Sequence, residues 1–200
     1  TVLLPGQLLP LQVFEPRYRV MLFDLRATDP AEFVVVLIER GSEVGGGEER
    51  SEVGCVARIL ERQDLPDGRS MVACVGLRPV VMEQWLPEDP YPRADVRDLD
   101  FRDWPDDQPT TGLDALTARA REVAGLAAGL GAPPWPEDLE LADEPVQLLW
   151  QLAIATPLAT LDRQKLLGEP DPVARAGLLR GFLDEQADLL AARLEWEADT

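Results

Sequence analysis

Histidine is absent from all 200 residues, and lysine occurs once, at Lys165. Without an imidazole the chain has neither the usual general base nor the commonest transition-metal ligand, so a Ser-His triad and a His-containing zinc site are excluded. A Ser-Lys pair would have to recruit Lys165, which lies among leucines in a predicted helix with no serine near it in sequence. Its expected role is a solvated helix charge. Cys55 and Cys74 are too few for a four-cysteine zinc site. Both fall inside apolar runs that read as strands, where a thiol behaves as a small buried hydrophobe.

No apolar run approaches the ~20 residues needed to cross a bilayer. The opening Thr1-Val2-Leu3-Leu4-Pro5-Gly6 has neither the basic stretch nor the apolar segment of a secretory signal. A soluble protein of the cytoplasm, with no membrane partner, is expected. Gly41 and Gly46 are spaced like a phosphate-binding loop, but Gly47 and Glu48 stand where a lysine and a hydroxyl are required. ATP is therefore not expected, and with no calcium-loop spacing either, no cofactor or metal is expected. Basic residues are outnumbered 19 to 37, for a net charge of −18. A field of that sign repels phosphate backbones, so nucleic acid is not an expected partner. Paired carboxylates such as Glu48-Glu49 and Asp106-Asp107 arise by chance in so acidic a chain and read as solvated loops.

The first half is rich in β-branched residues punctuated by turns. Leu8 to Val13, Phe33 to Glu39, Val53 to Leu60, Met71 to Leu77, Val80 to Leu86 and Ala94 to Leu99 read as strands, six in all. Leu65-Pro66-Asp67-Gly68 joins two of them in a hairpin. That pairing sets Cys74 opposite about Leu60, so no disulfide to Cys55 is expected. One helix interrupts the strands. It opens at Glu15-Pro16, places Tyr18, Met21, Leu22 and Leu25 on one face, and ends at Asp29-Pro30. The Gly-rich stretch Gly41 to Glu52 has too little apolar content to pack and reads as a mobile loop.

Between Asp103 and Gly112 the pattern turns to Pro, Asp and Thr, and the apolar period changes from two to about 3.6. Two domains are expected, a β domain over 1–103 and a helical domain over 113–200. Leu113, Leu116, Ala120, Val123, Ala127 and Leu130 form one stripe that Gly131 and Pro133-Pro134 stop. A second helix is expected from Asp143 as cap and Pro145 to just before Pro157, and a third from Thr160 to Leu167. A long last helix follows Asp171-Pro172, and the four can pack antiparallel. Of the five tryptophans, Trp85 and Trp150 are expected in the core. Trp104 and Trp135 lie beside prolines in loops, where they can pack or anchor a partner.

Leu4-Pro5-Gly6, Leu9-Pro10-Leu11 and Phe14-Glu15-Pro16-Arg17-Tyr18-Arg19 resemble, in that order, the opening of the amino-terminal domain of Lon proteases and of its free-standing bacterial relatives. Glu52 to Ile59, Leu65 to Gly68, Val75 to Arg78 and Asp89 to Pro92 continue the resemblance. Leu161 to Leu167 with Asp171-Pro172 and Arg175 carries it into the helical half. The resemblance implies a PUA-like six-stranded pseudo-barrel with one inserted helix, followed by a helical bundle. Relatives carry a further apolar strand before this chain's first residue, so the sequence is expected to be trimmed. The resemblance also implies a non-catalytic module, not an enzyme, that binds unfolded or exposed protein segments for degradation or quality control, alone or as an adaptor for a separate protease. RNA binding is the second reading, since PUA-like barrels elsewhere bind RNA, and the acidic balance opposes it. An unrecognised carboxylate enzyme is the third. Expected binding residues are Arg17 and Arg19 on the inserted helix, as donors to peptide carbonyls or carboxylates, with Trp104 and Trp135 as apolar anchors between the two halves. Phe14 and Tyr18 are expected to pack that helix onto the barrel.

Overall fold

The computed structural model describes residues 1–40 and 49–198. The chain divides into two compact units, Thr1–Leu99 and Asp100–Thr200. In the first, β1 is Leu8–Val13 and α1 is Pro16–Asp24, followed by a single 3-10 turn over Leu25–Ala27. β2 (Glu32–Arg40), β3 (Glu49–Asp64), β4 (Ser70–Leu86) and β5 (Arg93–Asp98) follow. All pairings are antiparallel in the order β1-β4-β3-β2, and β5 also pairs with β4. The first half of β4 therefore carries β1 and its second half carries β5 on the same edge. Of the expected loop, 41–48 lie outside the described residues, while Glu49 to Glu52 belong to β3.

The sheet has five described strands instead of six, because the expected fourth and fifth are one strand, β4. Pro79, which lies between the two expected strands, lacks an amide to donate to the ladder. It is absorbed at a register shift: Cys55 faces Pro79 while Ala57 faces Gly76, so β4 carries one extra residue there. A second bulge makes Leu60 the extra residue of β3. Cys74 accordingly faces Ile59, not Leu60, and Leu60 points outward. Both thiols are free and buried. Burial pushes Cys55 up to about 12 and Cys74 up to about 11, so neither supplies a thiolate nucleophile near neutrality.

Two glycines set close approaches. Gly68, at φ 82°, takes the left-handed position of the β3–β4 turn, whose ends are tied by Leu65 N donating to Arg69 O at 2.8 Å. Gly76 lies so near the Leu4 carbonyl that a Cβ would collide with it. That contact lets Val2, Leu3 and Leu4 insert fully into the core beside Val72, Cys74 and Val80.

The second unit holds α2 (Thr111–Gly129), α3 (Pro145–Ala155), α4 (Thr160–Gly168) and α5 (Pro172–Ala198). α2 packs along α5, and α3 and α4 also contact α5. Most of the stripe read from the sequence is buried: Leu113, Leu116, Ala120, Val123 and Ala127 face inward, while Leu130 caps the end of α2 and is half-buried. Each of the larger ones contributes about 1.5–3 kcal/mol of transfer free energy. Gly131, at φ 88°, turns the chain so that the amides of Gly131 and Ala132 reach the Ala128 and Ala127 carbonyls. Asp171 Oδ1 caps α5 by accepting from Val173 N and Ala174 N at 2.9 and 3.0 Å. The cap of α3 is Glu144, not Asp143. Pro145 fixes the first helical position, which leaves Glu144 extended just ahead of it and able to accept from Val146 N and Gln147 N.

Candidate functional site

The first unit holds an apolar cavity of about 680 Å³ bounded by β1, α1, β2, β4 and β5. Native interiors leave few voids larger than a water molecule, whereas ligand pockets span roughly 300–1,000 Å³. Its walls follow directly from sequence periodicity. Alternation along β1 turns Leu9, Leu11 and Val13 toward the cavity while Leu8 and Pro10 face out. Three-and-four spacing on α1 and the 3-10 turn after it brings Tyr18, Met21, Leu22 and Leu25 to the same space. β2 supplies Phe33 to Val36 and Ile38, and β4 and β5 add Trp85, Leu86, Ala94 and Val96. β2 stands at the end of the strand order, so among the described residues its outer edge has no sheet partner.

Polar contacts hold α1 over this space. Tyr91 Oη donates to Asp24 at 2.9 Å, and Arg26 Nη2 reaches Asp64 at 2.6 Å. Arg62 Nη1 donates to the Leu22 carbonyl at 2.6 Å. Asp64 also accepts from Ser70 and Arg62, and these hydrogen bonds hold its carboxyl below the usual range. At the mouth, Arg17 donates through Nε to Glu15 at 3.0 Å and through Nη1 to Glu88 at 2.8 Å. Its guanidinium lies 4.7 Å from the centre of the Tyr18 ring. Arg50 lies 4.7 Å from the Trp85 ring centre and 3.7 Å from the other Glu88 oxygen.

The four residues singled out from the sequence divide between the units. Arg17 is half-buried and ion-paired within the chain, so it does not project freely from α1 as expected. Arg19 is exposed, with its guanidinium against Gly68. In the second unit, the Trp104 indole N–H donates to the Gln108 carbonyl at 3.1 Å, closing its own loop. Arg121 lies 5.7 Å from the Trp135 ring centre. Two other aromatic expectations change. Trp85 is 39% exposed and lines the cavity instead of filling a core, and Phe14 is 62% exposed at the rim. Trp150 is buried as expected. It and Phe101 both lie against the Arg175 guanidinium, each ring centre 4.3 Å away, and the two ring centres are 5.8 Å apart. Arg175 donates to the Glu169 carbonyl, and its burial lowers its pKa to about 10.

The cavity itself was missed in the sequence, although one signal marked it. Phe33-Val34-Val35-Val36-Leu37-Ile38 is uniformly apolar and does not alternate, as a strand with one wet face would. Among the described residues no helix is long and apolar enough to cross a membrane, and no cluster of three or more His, Cys, Asp or Glu is placed to hold a metal.

The crystal structure of a Lon N-terminal domain protein from Xanthomonas campestris superposes with a TM-score of 0.67 at 25% identity, covering 91% of this chain and 93% of that one. The N-terminal domain of a Mycobacterium avium complex Lon protease shares the fold, with a TM-score of 0.56 at 18% identity over 92% of this chain and 93% of its own. In sequence, the Lon proteases of Cytophaga hutchinsonii and Chloroherpeton thalassium are 27% and 24% identical over 97% and 95% of this chain. The chain spans only 24% and 22% of their respective lengths. Residues 1–185 match the family described as the ATP-dependent protease La (LON) substrate-binding domain, and the chain belongs to that family.

Proposed function

We propose that this chain recognises exposed or unfolded protein segments and takes them into the cavity of the first unit, without catalysis of its own. The observation that carries the reading is the apolar space of about 680 Å³ together with an edge of β2 that has no sheet partner among the described residues. An extended segment could add main-chain hydrogen bonds to that edge while seating apolar side chains in the cavity. The relatives' proteolysis is not carried over. Lys165 pairs with Asp162 at 3.3 Å and lies over the Phe182 ring, which makes it a helix-surface charge. In this reading the first unit is a PUA-like pseudo-barrel, residues 1–103 and 113–200 are separate folding domains, and the second is a helical bundle. The module serves alone or as an adaptor for a separate protease, and the net charge of −18 argues against nucleic acid.

The test is the affinity of the chain for reduced, carboxymethylated α-lactalbumin, measured by fluorescence anisotropy. Leu86→Arg and Val96→Arg place a charge on the cavity wall at positions that are not core, since Val96 is 41% exposed. Each should weaken binding at least about tenfold, because burying an unpaired charge opposes occupation of the cavity. Unchanged affinity with an unchanged circular dichroism spectrum would remove the cavity from the binding site.

A further inference from the structure

We infer that the mouth of the cavity reads a carboxylate, that Glu88 occupies this seat in the unliganded chain, and that the segment taken up is an apolar polypeptide ending in its free carboxyl terminus. This rests on the cavity being the binding site.

Arg17 and Arg50 come from distant parts of the sequence, yet each is stacked on a ring that lines the cavity, Tyr18 and Trp85, at 4.7 Å in both cases. Stacking fixes a guanidinium's plane and leaves its in-plane N–H groups to recognise a carboxylate. Both groups turn to one carboxylate. Glu88 Oε1 accepts from Arg17 Nη1 at 2.8 Å, and Glu88 Oε2 lies 3.7 Å from Arg50 Nη2. Glu15 holds Arg17 through Nε, which orients Nη1 toward the seat.

The two arginine side chains are only 21% and 19% exposed, whereas that of Glu88 is 42% exposed on the connection between β4 and β5. Partly desolvated cations strengthen a charge-assisted hydrogen bond, and a surface carboxylate is cheaply exchanged for another. In a chain of net charge −18 this pair, balanced by Glu15 and Glu88, concentrates positive charge beside an apolar space. A chain terminus matches that arrangement. Its carboxylate is joined directly to the residue whose side chain enters the cavity, so one end residue satisfies both the charge and the apolar wall.

Three peptides of one apolar sequence test this by titration calorimetry: the free acid, the carboxyl amide, and an amide carrying one internal glutamate. The free acid should bind at least about tenfold more tightly than either amide. Arg17→Gln and Arg50→Gln should each erase most of that difference, and Glu88→Gln should tighten the acid while leaving the plain amide unchanged. Circular dichroism identifies any variant that fails to fold, and the comparison of acid with amide on the unaltered chain stands without variants. Equal binding of acid and amide, with Val96→Arg still weakening both, would overturn the carboxylate seat and leave the cavity reading intact. Equal binding of the acid and the internal glutamate would overturn the terminus in favour of any acidic side chain. If no peptide binds, the cavity reading fails, and this inference fails with it.

Discussion

The two units use the same pair of residue types, arginine on an aromatic ring, to opposite ends. In the helical unit Arg175 is 1% exposed, packed against both Phe101 and Trp150, and tied to the Glu169 carbonyl at 2.7 Å. In the sheet unit Arg17 and Arg50 each rest on one ring beside an apolar cavity and share Glu88. A backbone carbonyl cannot leave and be replaced, but a surface carboxylate can. Arg175 is thus a structural pin that holds Phe101 to the helices, while the other two are poised to exchange partners.

The largest expected effect separates these roles. Arg175→Ala removes a fully buried side chain and both stacking contacts, and should lower unfolding stability by about 3 kcal/mol or more. Arg17→Ala breaks half-exposed pairs and should cost no more than about 1 kcal/mol. Urea denaturation checks both, and equal losses would erase the distinction.

Alkaline titration should sharpen the contrast, because buried ionisable groups act with opposite sign in the two units. In the sheet unit burial raises Cys55 from the ordinary 9.0 to about 12 and Cys74 to about 11. A folded-state pKa above the unfolded one gives a contribution that is complete below pH 9 and is lost as the pH rises toward those values. The loss should be on the order of 2 kcal/mol from each cysteine between pH 9 and pH 11. Cys55→Ala together with Cys74→Ala should flatten it. In the helical unit burial lowers Arg175 from 12.5 to about 10. The penalty on its charged form is relieved as the pH passes that value, so this residue adds stability there. Hydrogen exchange should therefore show the strands around Cys55 opening before the helices around Arg175. The reverse order would contradict these burial effects.

The helical unit was nearly all legible because its determinants are local. The stripe from Leu113 to Ala127, the Asp171 cap and the stop at Gly131 each depend on neighbours within two turns. The one slip, Asp143 for Glu144, was decided by which carboxylate Pro145 leaves within reach of the free amides. The sheet unit was legible only in part. The alternation of β1 and the Leu65 to Gly68 turn are local, but whether Pro79 ends a strand depends on a bulge facing Cys55, far away in sequence. The cavity mouth was the least legible feature. Arg17, Arg50 and the segment that carries Trp85 and Glu88 lie far apart in the chain and meet only once β3, β4 and α1 are assembled.

The smallest expected effect belongs to the tryptophans of the helical unit. Trp104→Ala with Trp135→Ala should weaken segment binding less than about fivefold, in keeping with contacts outside an energetic centre. The most direct test of the account sets that pair against the cavity wall in one assay, measuring affinity for the same unfolded α-lactalbumin. Leu86→Arg and Val96→Arg should each lose at least about tenfold, more than the tryptophan pair. A larger loss from the tryptophan pair, with the cavity variants binding normally, would contradict the account and move the binding site out of the cavity.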